Sequence, residues 1–193
     1  HPTRDNRRRR GSFHRCRLHL FGRALPRSSS VLAARYGFTD MYSGGFYSYD
    51  SLEEYWAFWS RYIKCNRYDP IPKPVYEQLL DLLRDRDCFV LTTNVAIASS
   101  ALVLINSGFF YTQGDYGLFQ CSKPCCQETW DNEELVHYMD TIQEDLRIPS
   151  CTCAPLPPLW LPLTMNLRAD DAFVQNKLDA AANRYQDFLR RHS

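Results

Sequence analysis

The stretch between residues 75 and 94 constrains the fold more than any other part of the chain. Residues 75–83 place apolar side chains on one helical face, and a charged Arg-Asp-Arg-Asp turn follows. The apolar run that begins at Cys88 then ends in Thr92, Thr93 and Asn94. A helix, a charged turn and a short buried strand with a polar end form one repeat of a parallel sheet. The sequence therefore predicts an α/β fold.

An open parallel sheet binds its ligand beyond the carboxyl ends of its strands, so polar residues at these ends mark a candidate site. Thr92, Thr93 and Asn94 occupy that position after the first predicted strand. Residues 110–117 make a second apolar-to-polar transition, which contains two glycines. A cofactor site is expected at this edge. An alternative, that the polar residues only cap the strand, fits the spacing equally well.

Large apolar side chains recur at helical spacing in the first third of the chain, at Leu52, Tyr55, Trp56, Trp59 and Ile63. Asp50-Ser51 is a suitable cap for this helix, and we interpret the stripe as core packing. Further helices are expected over residues 130–147 and in a final segment that reaches Arg190. A polar loop over residues 165–171 is expected to open that last helix.

Charge is distributed unevenly. Residues 1–35 hold ten arginines and one acid, which leaves 13 bases and 21 acids in the rest of the chain. A basic arm is typical of nucleic-acid binding, but a solvated or misread tail is the interpretation we prefer. No apolar run approaches the roughly 20 residues of a membrane span, and no apolar segment resembles a secretory signal. A cytoplasmic protein with no nucleic-acid or membrane partner is expected.

The eight cysteines include two pairs that suggest a structural zinc site. Cys121 and Cys125 have suitable spacing for a first pair. Cys151 and Cys153 could form the second pair, although one intervening residue is fewer than usual. No histidine-based catalytic set and no glycine-rich phosphate loop can be identified.

Three blocks of the chain resemble one protein family. They are residues 35–95 (RYGFTDMYSGGFY to FVLTTNV), residues 110–150 (FYTQGDYGLFQC to RIPS) and residues 162–193 (PLTMNLRADDAFV to the end), and they cover 134 of 193 residues. The blocks are similar to the macrodomain-linked (class M) sirtuins, and QGDYGLFQC and TMNLRADD are the most specific motifs. The resemblance implies an NAD-dependent protein ADP-ribosyltransferase or deacylase, with a Rossmann-like parallel-sheet domain and a small zinc-binding subdomain.

The resemblance also assigns roles to individual residues. It implies that Asn94, Gln113 and Arg168 are catalytic, and that Thr93, Asn94 and Gln113 contact NAD. Gln113 takes the place of the usual sirtuin histidine, and because an amide is no ordinary base, ADP-ribosyl transfer is favoured over deacylation. The four candidate zinc ligands remain Cys121, Cys125, Cys151 and Cys153. The resemblance places the second pair near Leu156 and Leu159, which are not metal ligands, so the zinc site is expected to be incomplete.

Partners and domain limits follow from the same resemblance. The expected substrate is a lipoylated carrier resembling the glycine-cleavage H protein, and a macrodomain protein is expected to reverse the mark. Residues 35–119 and 162–193 are expected to form the Rossmann-like domain, which is incomplete at its carboxyl end. Residues 120–161 are expected to form the zinc-ribbon-like subdomain, and residues 1–34 are a basic segment where the family has its phosphate loop.

Residues 1–34, 96–109 and 151–161 depart from the family pattern. Codons chosen to encode these three segments can also be read in another frame. Read in that frame, the first segment gives GAGAGLS, the second restores an aspartate and the third gives CPRCG, and all three are features of the family. Compensated frameshifts are therefore a hypothesis for this chain, and its activity is expected to be impaired. The alternative function is a catalytically dead remnant, at most a zinc-containing interaction module.

Overall fold

The computed structural model describes residues 34–38, 41–69, 74–95, 108–123, 125–143, 163–168 and 172–192. The elements, in chain order, are helices α1 (Met41–Gly45) and α2 (Leu52–Ile63), a π-helical turn (Lys64–Tyr68), helix α3 (Pro74–Leu83), strands β1 (Val90–Thr92), β2 (Phe109–Tyr111), β3 (Gly114–Cys121) and β4 (Thr129–Asp131), helix α4 (Glu133–Thr141), strand β5 (Leu163–Leu167) and helix α5 (Asn176–His192). This part of the chain is a mixed α/β structure.

Two sheets organise the described residues. Strands β1 and β2 pair in parallel, with Thr92 opposite Tyr111. Strand β3 pairs antiparallel with β4 on one side and with β5 on the other. The predicted α/β class and parallel strand pairing are therefore present among the described residues, alongside a three-stranded antiparallel sheet.

Helix α2 supplies three of the six buried aromatic side chains of the described core. Ser51 caps its first turn, since the Ser51 hydroxyl accepts a hydrogen bond from the backbone N–H of Glu54 at 3.2 Å. Trp56 is buried and meets the ring of Phe119 on β3 at a centroid distance of 5.0 Å. The interpretation of the stripe as packing is confirmed for Trp56, Trp59 and Ile63, which are buried, whereas Leu52 at its start is 57% exposed. Helix α2 and β3 thereby form the centre of the core.

Helix α5 covers the parallel pair of strands. The ring of Tyr185 lies 5.2 Å from that of Phe89, just before β1, and 6.1 Å from that of Phe110 on β2. Phe188 adds a second contact with Phe89 at 5.6 Å. These aromatic contacts place α5 on the sheet as the helix of an α/β layer. None of the described helices is both long enough and apolar enough to cross a bilayer.

Two local predictions are wrong at their N-terminal ends. Residues 130–147 were expected to be helical, but Trp130 lies in β4, where it pairs with Phe119, and the helix runs from Glu133 to Thr141. Residues 165–171 were expected to be a loop, but Met165 and its neighbours belong to β5. Both errors have one cause, because pairing with β3 supplies hydrogen bonds that local sequence does not reveal.

Several predictions concern residues outside the described part of the chain. These are Cys151 and Cys153, the departing segments 96–107 and 151–161, and residues 1–33 of the basic segment. The helices predicted over residues 52–63 and 75–83 and the final helix are confirmed. The strand predicted over residues 88–94 is shorter, Val90–Thr92, and it is not buried as expected, since Leu91 is 51% exposed.

Candidate functional site

The carboxyl ends of β1 and β2 lie side by side and form the polar edge on which the site is built. Thr112, directly after β2, donates its backbone N–H to the carbonyl oxygen of Thr92 at 2.9 Å. Its hydroxyl donates to the same oxygen at 3.2 Å. The residues that follow the two strands, Asn94 and Gln113, are therefore held at one edge of the sheet, as parallel pairing requires.

Asn94 is half-buried in the turn after β1. Its backbone N–H donates to the hydroxyl oxygen of Thr92 at 3.0 Å, which closes a tight turn. The next carbonyl, that of Val95, accepts a hydrogen bond from the backbone of Tyr116 at 3.0 Å. The loop after β1 is thus joined to β3, and Thr93 between these contacts is exposed.

Arg168 reaches the same edge from a different sheet. It follows β5 directly, and its backbone N–H donates to the carbonyl oxygen of Gln113 at 3.2 Å. Its guanidinium donates through Nη1 to the carbonyl oxygen of Thr112 at 3.3 Å. The side chain is exposed, and a guanidinium has five N–H donors, so most remain for an anionic group. The backbone segments that carry Asn94, Gln113 and Arg168 therefore lie next to one another at this edge.

A buried ion pair lies beneath this edge and was missed by sequence analysis. Nη2 of Arg67, from the π-helical turn, lies 3.2 Å from Oδ2 of Asp115 on β3. Burial raises the pKa of the Asp115 carboxyl, and the Arg67 charge opposes that rise. The only sequence signal was an acid between two glycines, Gly114 and Gly117, within a few residues of Gln113. Nothing in the sequence marked Arg67.

The first predicted cysteine pair is in contact. The sulfur atoms of Cys121 and Cys125 are 3.2 Å apart, and both thiols are free. The backbone N–H of Cys125 chiefly lowers the pKa of Cys121, and the bond to Cys121 raises the pKa of Cys125 to about 11. Two thiolates on tetrahedral zinc are about 3.8 Å apart, so the two sulfur atoms would have to move slightly further apart to bind the metal together.

The other half of the zinc prediction has no structural description. Within the described ranges, no group of three or more His, Cys, Asp or Glu side chains is arranged to hold a metal ion. Cys151 and Cys153 lie outside those ranges. Cys121, the last residue of β3, and Cys125 can supply two of the four thiolates of a structural zinc site.

The fold and the edge define an α/β protein whose polar residues, including an arginine, converge at the carboxyl ends of parallel strands. No protein-family model matches the chain. The chain is 33% identical over 160 residues to a curated protein ADP-ribosyltransferase of Staphylococcus aureus strain Mu50. The match covers 82% of this chain and 51% of that relative, so the chain spans about half of its length. The chain is therefore similar to a protein ADP-ribosyltransferase.

Proposed function

We propose that this chain carries the site of an NAD-dependent protein ADP-ribosyltransferase of the macrodomain-linked sirtuin type, on a Rossmann-like sheet. The observation that carries the proposal is the convergence of Asn94, Gln113 and Arg168 at the carboxyl edge of β1 and β2. The similarity to a protein ADP-ribosyltransferase supports the same reaction class. Ligands of such sheets bind at this edge.

Each of the three side chains suits a different task. NAD, when bound, would supply the ADP-ribosyl group: the bond from its ribose to nicotinamide would break, a bond to the acceptor side chain would form, nicotinamide would leave and the proton of the acceptor would pass to solvent. Asn94 has an amide that can donate to and accept from a ribose hydroxyl or a carboxamide. Arg168 carries a permanent positive charge that can hold a phosphate or a carboxylate.

Gln113 decides between the two reactions of the family. A glutamine amide can orient an acceptor through hydrogen bonds, but it does not take up a proton near neutral pH. Deacylation by sirtuins depends on a general base, so Gln113 favours ADP-ribosyl transfer. The acceptor we propose is a lipoylated carrier similar to the glycine-cleavage H protein, with a macrodomain protein removing the mark.

The deciding experiment follows label from adenylate-labelled NAD to a purified lipoylated carrier. We expect the lipoylated carrier to be labelled more than the unlipoylated form, and Asn94→Ala and Arg168→Ala to abolish transfer. Arg190→Ala is the matched control, since Arg190 is an exposed arginine on α5 that pairs with Asp187. Absence of label on a carrier that a control transferase modifies under the same conditions would disprove the proposal.

A second candidate is a catalytically inactive remnant, at most a zinc-containing interaction module. The sequence favours it at residues 7–10, where four arginines stand in the segment to which the resemblance assigns a glycine-rich phosphate loop. Backbone N–H groups of such a loop would otherwise hold the pyrophosphate. Titration of the chain with NAD, followed through its four tryptophans, separates the two candidates. Saturable quenching supports the transferase, and no binding at millimolar NAD supports the remnant.

A further inference from the structure

The ion pair between Arg67 and Asp115 joins two elements that are distant in sequence. The Asp115 carboxylate accepts from Nη2 of Arg67 at 3.2 Å through one oxygen and from the backbone N–H of Gly117 at 2.7 Å through the other. The exposed fractions of the two side chains are only 10% and 14%. The carboxylate therefore ties the start of β3 to the π-helical turn.

Two glycines make this arrangement possible. A Cβ on Gly117 would lie 2.8 Å from Nε of Arg67 and 3.1 Å from the Asp115 carboxylate, so any other residue would displace the pair. Gly114 has a φ of 93°, and a Cβ there would lie 1.9 Å from the carbonyl oxygen of Asn166 on β5. The start of β3 is thus packed closely against β5 at Gly114 and against Arg67 at Asp115 and Gly117.

The Arg67 guanidinium faces residues on both sides of Gln113. Asp115 follows Gln113 by two positions, and Tyr111 precedes it by two. Burial, followed by the charge of Asp115, raises the pKa of the Tyr111 phenol, and the neighbouring Arg67 opposes that rise. The Gln113 side chain itself is exposed, so packing does not orient it. Its direction depends on the backbone that these neighbours hold.

A buried ion pair adds little net stability, because desolvation of the two charges offsets their attraction, but it defines one geometry. A π-helical turn is itself a rare element that occurs often at functional sites. We propose that Arg67 and Asp115 are positioning residues that hold the backbone around Gln113 in the geometry that transfer requires. This inference rests on the proposed function of Gln113.

The test removes both charges together, because removing one would leave the other buried without its counter-charge. In the variant Arg67→Met/Asp115→Asn, the asparagine oxygen can still accept from the Gly117 N–H. We expect thermal stability close to that of the unaltered chain, kcat for transfer lowered about tenfold or more, and KM for NAD within about twofold. A purely structural role would leave kcat unchanged once stability is unchanged.

Hydrogen exchange supplies a readout that does not require transfer. In the double variant we expect exchange at least about tenfold faster at the amides of residues 112–117 and of Arg168, with helix α4 unaffected. Lys64→Met is the matched control, since Lys64 belongs to the same π-helical turn but pairs with Asp69 and Asp140. It should leave exchange at residues 112–117 unchanged.

Each outcome decides a separate question. Faster exchange confined to residues 112–117 and Arg168, together with a lower kcat, supports the positioning role. Unchanged exchange at these residues, or an equal rise in α4, overturns the positioning role. An unchanged kcat in an active chain overturns it as well. If the unaltered chain transfers no label, the proposed function fails by itself. Hydrogen exchange then still shows whether the ion pair holds the backbone of residues 112–117.

Discussion

The side-chain amide of Asn166 donates a hydrogen bond to Oε1 of Gln120 at 2.7 Å in the buried interior between β3 and β5. The same oxygen accepts from the backbone N–H of Val174 at 2.9 Å, and the Gln120 amide donates to the carbonyl of Ala172 at 2.6 Å. Two side chains thus hold the segment that follows Arg168 in sequence. A fully satisfied buried network of this kind specifies one backbone path.

Removing Gln120 should be costly for this reason. The variant Gln120→Leu leaves the Val174 N–H without its acceptor and removes one of the two acceptors of the Asn166 amide, and we expect a loss of about 2–3 kcal/mol in the free energy of unfolding. Urea denaturation measures it. Gln186→Leu, on the exposed face of α5, is the control and should change the free energy by less than about 0.5 kcal/mol. Equal losses of stability in the two variants would contradict the stabilising role of the Gln120 network.

Gly114 should tolerate no side chain. Gly114→Ala places a Cβ 1.9 Å from the Asn166 carbonyl oxygen at a φ of 93°, and we expect a loss of about 3 kcal/mol or more in the free energy of unfolding. Gly37→Ala is a matched control with a φ of 70° and no atom within 4 Å of the added Cβ. It should cost about 1 kcal/mol, the conformational penalty alone.

Arg168 should not be replaceable by lysine. Its guanidinium contacts the carbonyl of Thr112 and keeps other donors for a ligand, whereas an ammonium group is a single point charge. If the proposed transfer occurs, we expect Arg168→Lys to lower kcat/KM by about tenfold to a hundredfold, with an unchanged melting temperature. Activity equal to that of the unaltered chain would show that charge alone suffices.

Zinc content tests the cysteine pair. We expect the purified chain to carry zinc, and Cys121→Ser or Cys125→Ser to reduce the bound metal measured by a colorimetric chelator, because two thiolates at this spacing suit the ion. Cys88→Ser, which lies before β1, is the control and should retain it. The prediction fails if all three variants bind as much zinc as the unaltered chain.

Alkaline titration tests the packing of Tyr68 and Tyr111. Burial raises the pKa of both phenols, and Tyr68 also donates a hydrogen bond to Asn132. The folded state therefore favours the protonated phenols, so their contribution to stability is present below about pH 10 and is lost as pH rises above it. Phenolate absorbance should show these tyrosines ionising only as the chain unfolds, and Tyr68→Phe should reduce that late step.

Local patterns predicted local structure well. The aromatic spacing of α2 and its serine cap, the apolar face of α3 and the polar end of β1 are each visible within about 15 residues, which is the range over which burial leaves a periodic trace. The same patterns misassigned Trp130 and Met165, which lie in strands whose partners are distant in sequence.

The sequence by itself determined an α/β chain with an aromatic helical core, a polar turn ending at Asn94 and a cysteine pair. Tertiary structure alone decided that β5 pairs with β3, which places Arg168 beside Gln113, and that Arg67 reaches Asp115 across 48 positions. The difference arises from the distance along the chain over which each signal acts. Periodicity reports which face of an element is buried, whereas strand pairing and buried ion pairs depend on contacts between segments that the sequence does not place next to each other.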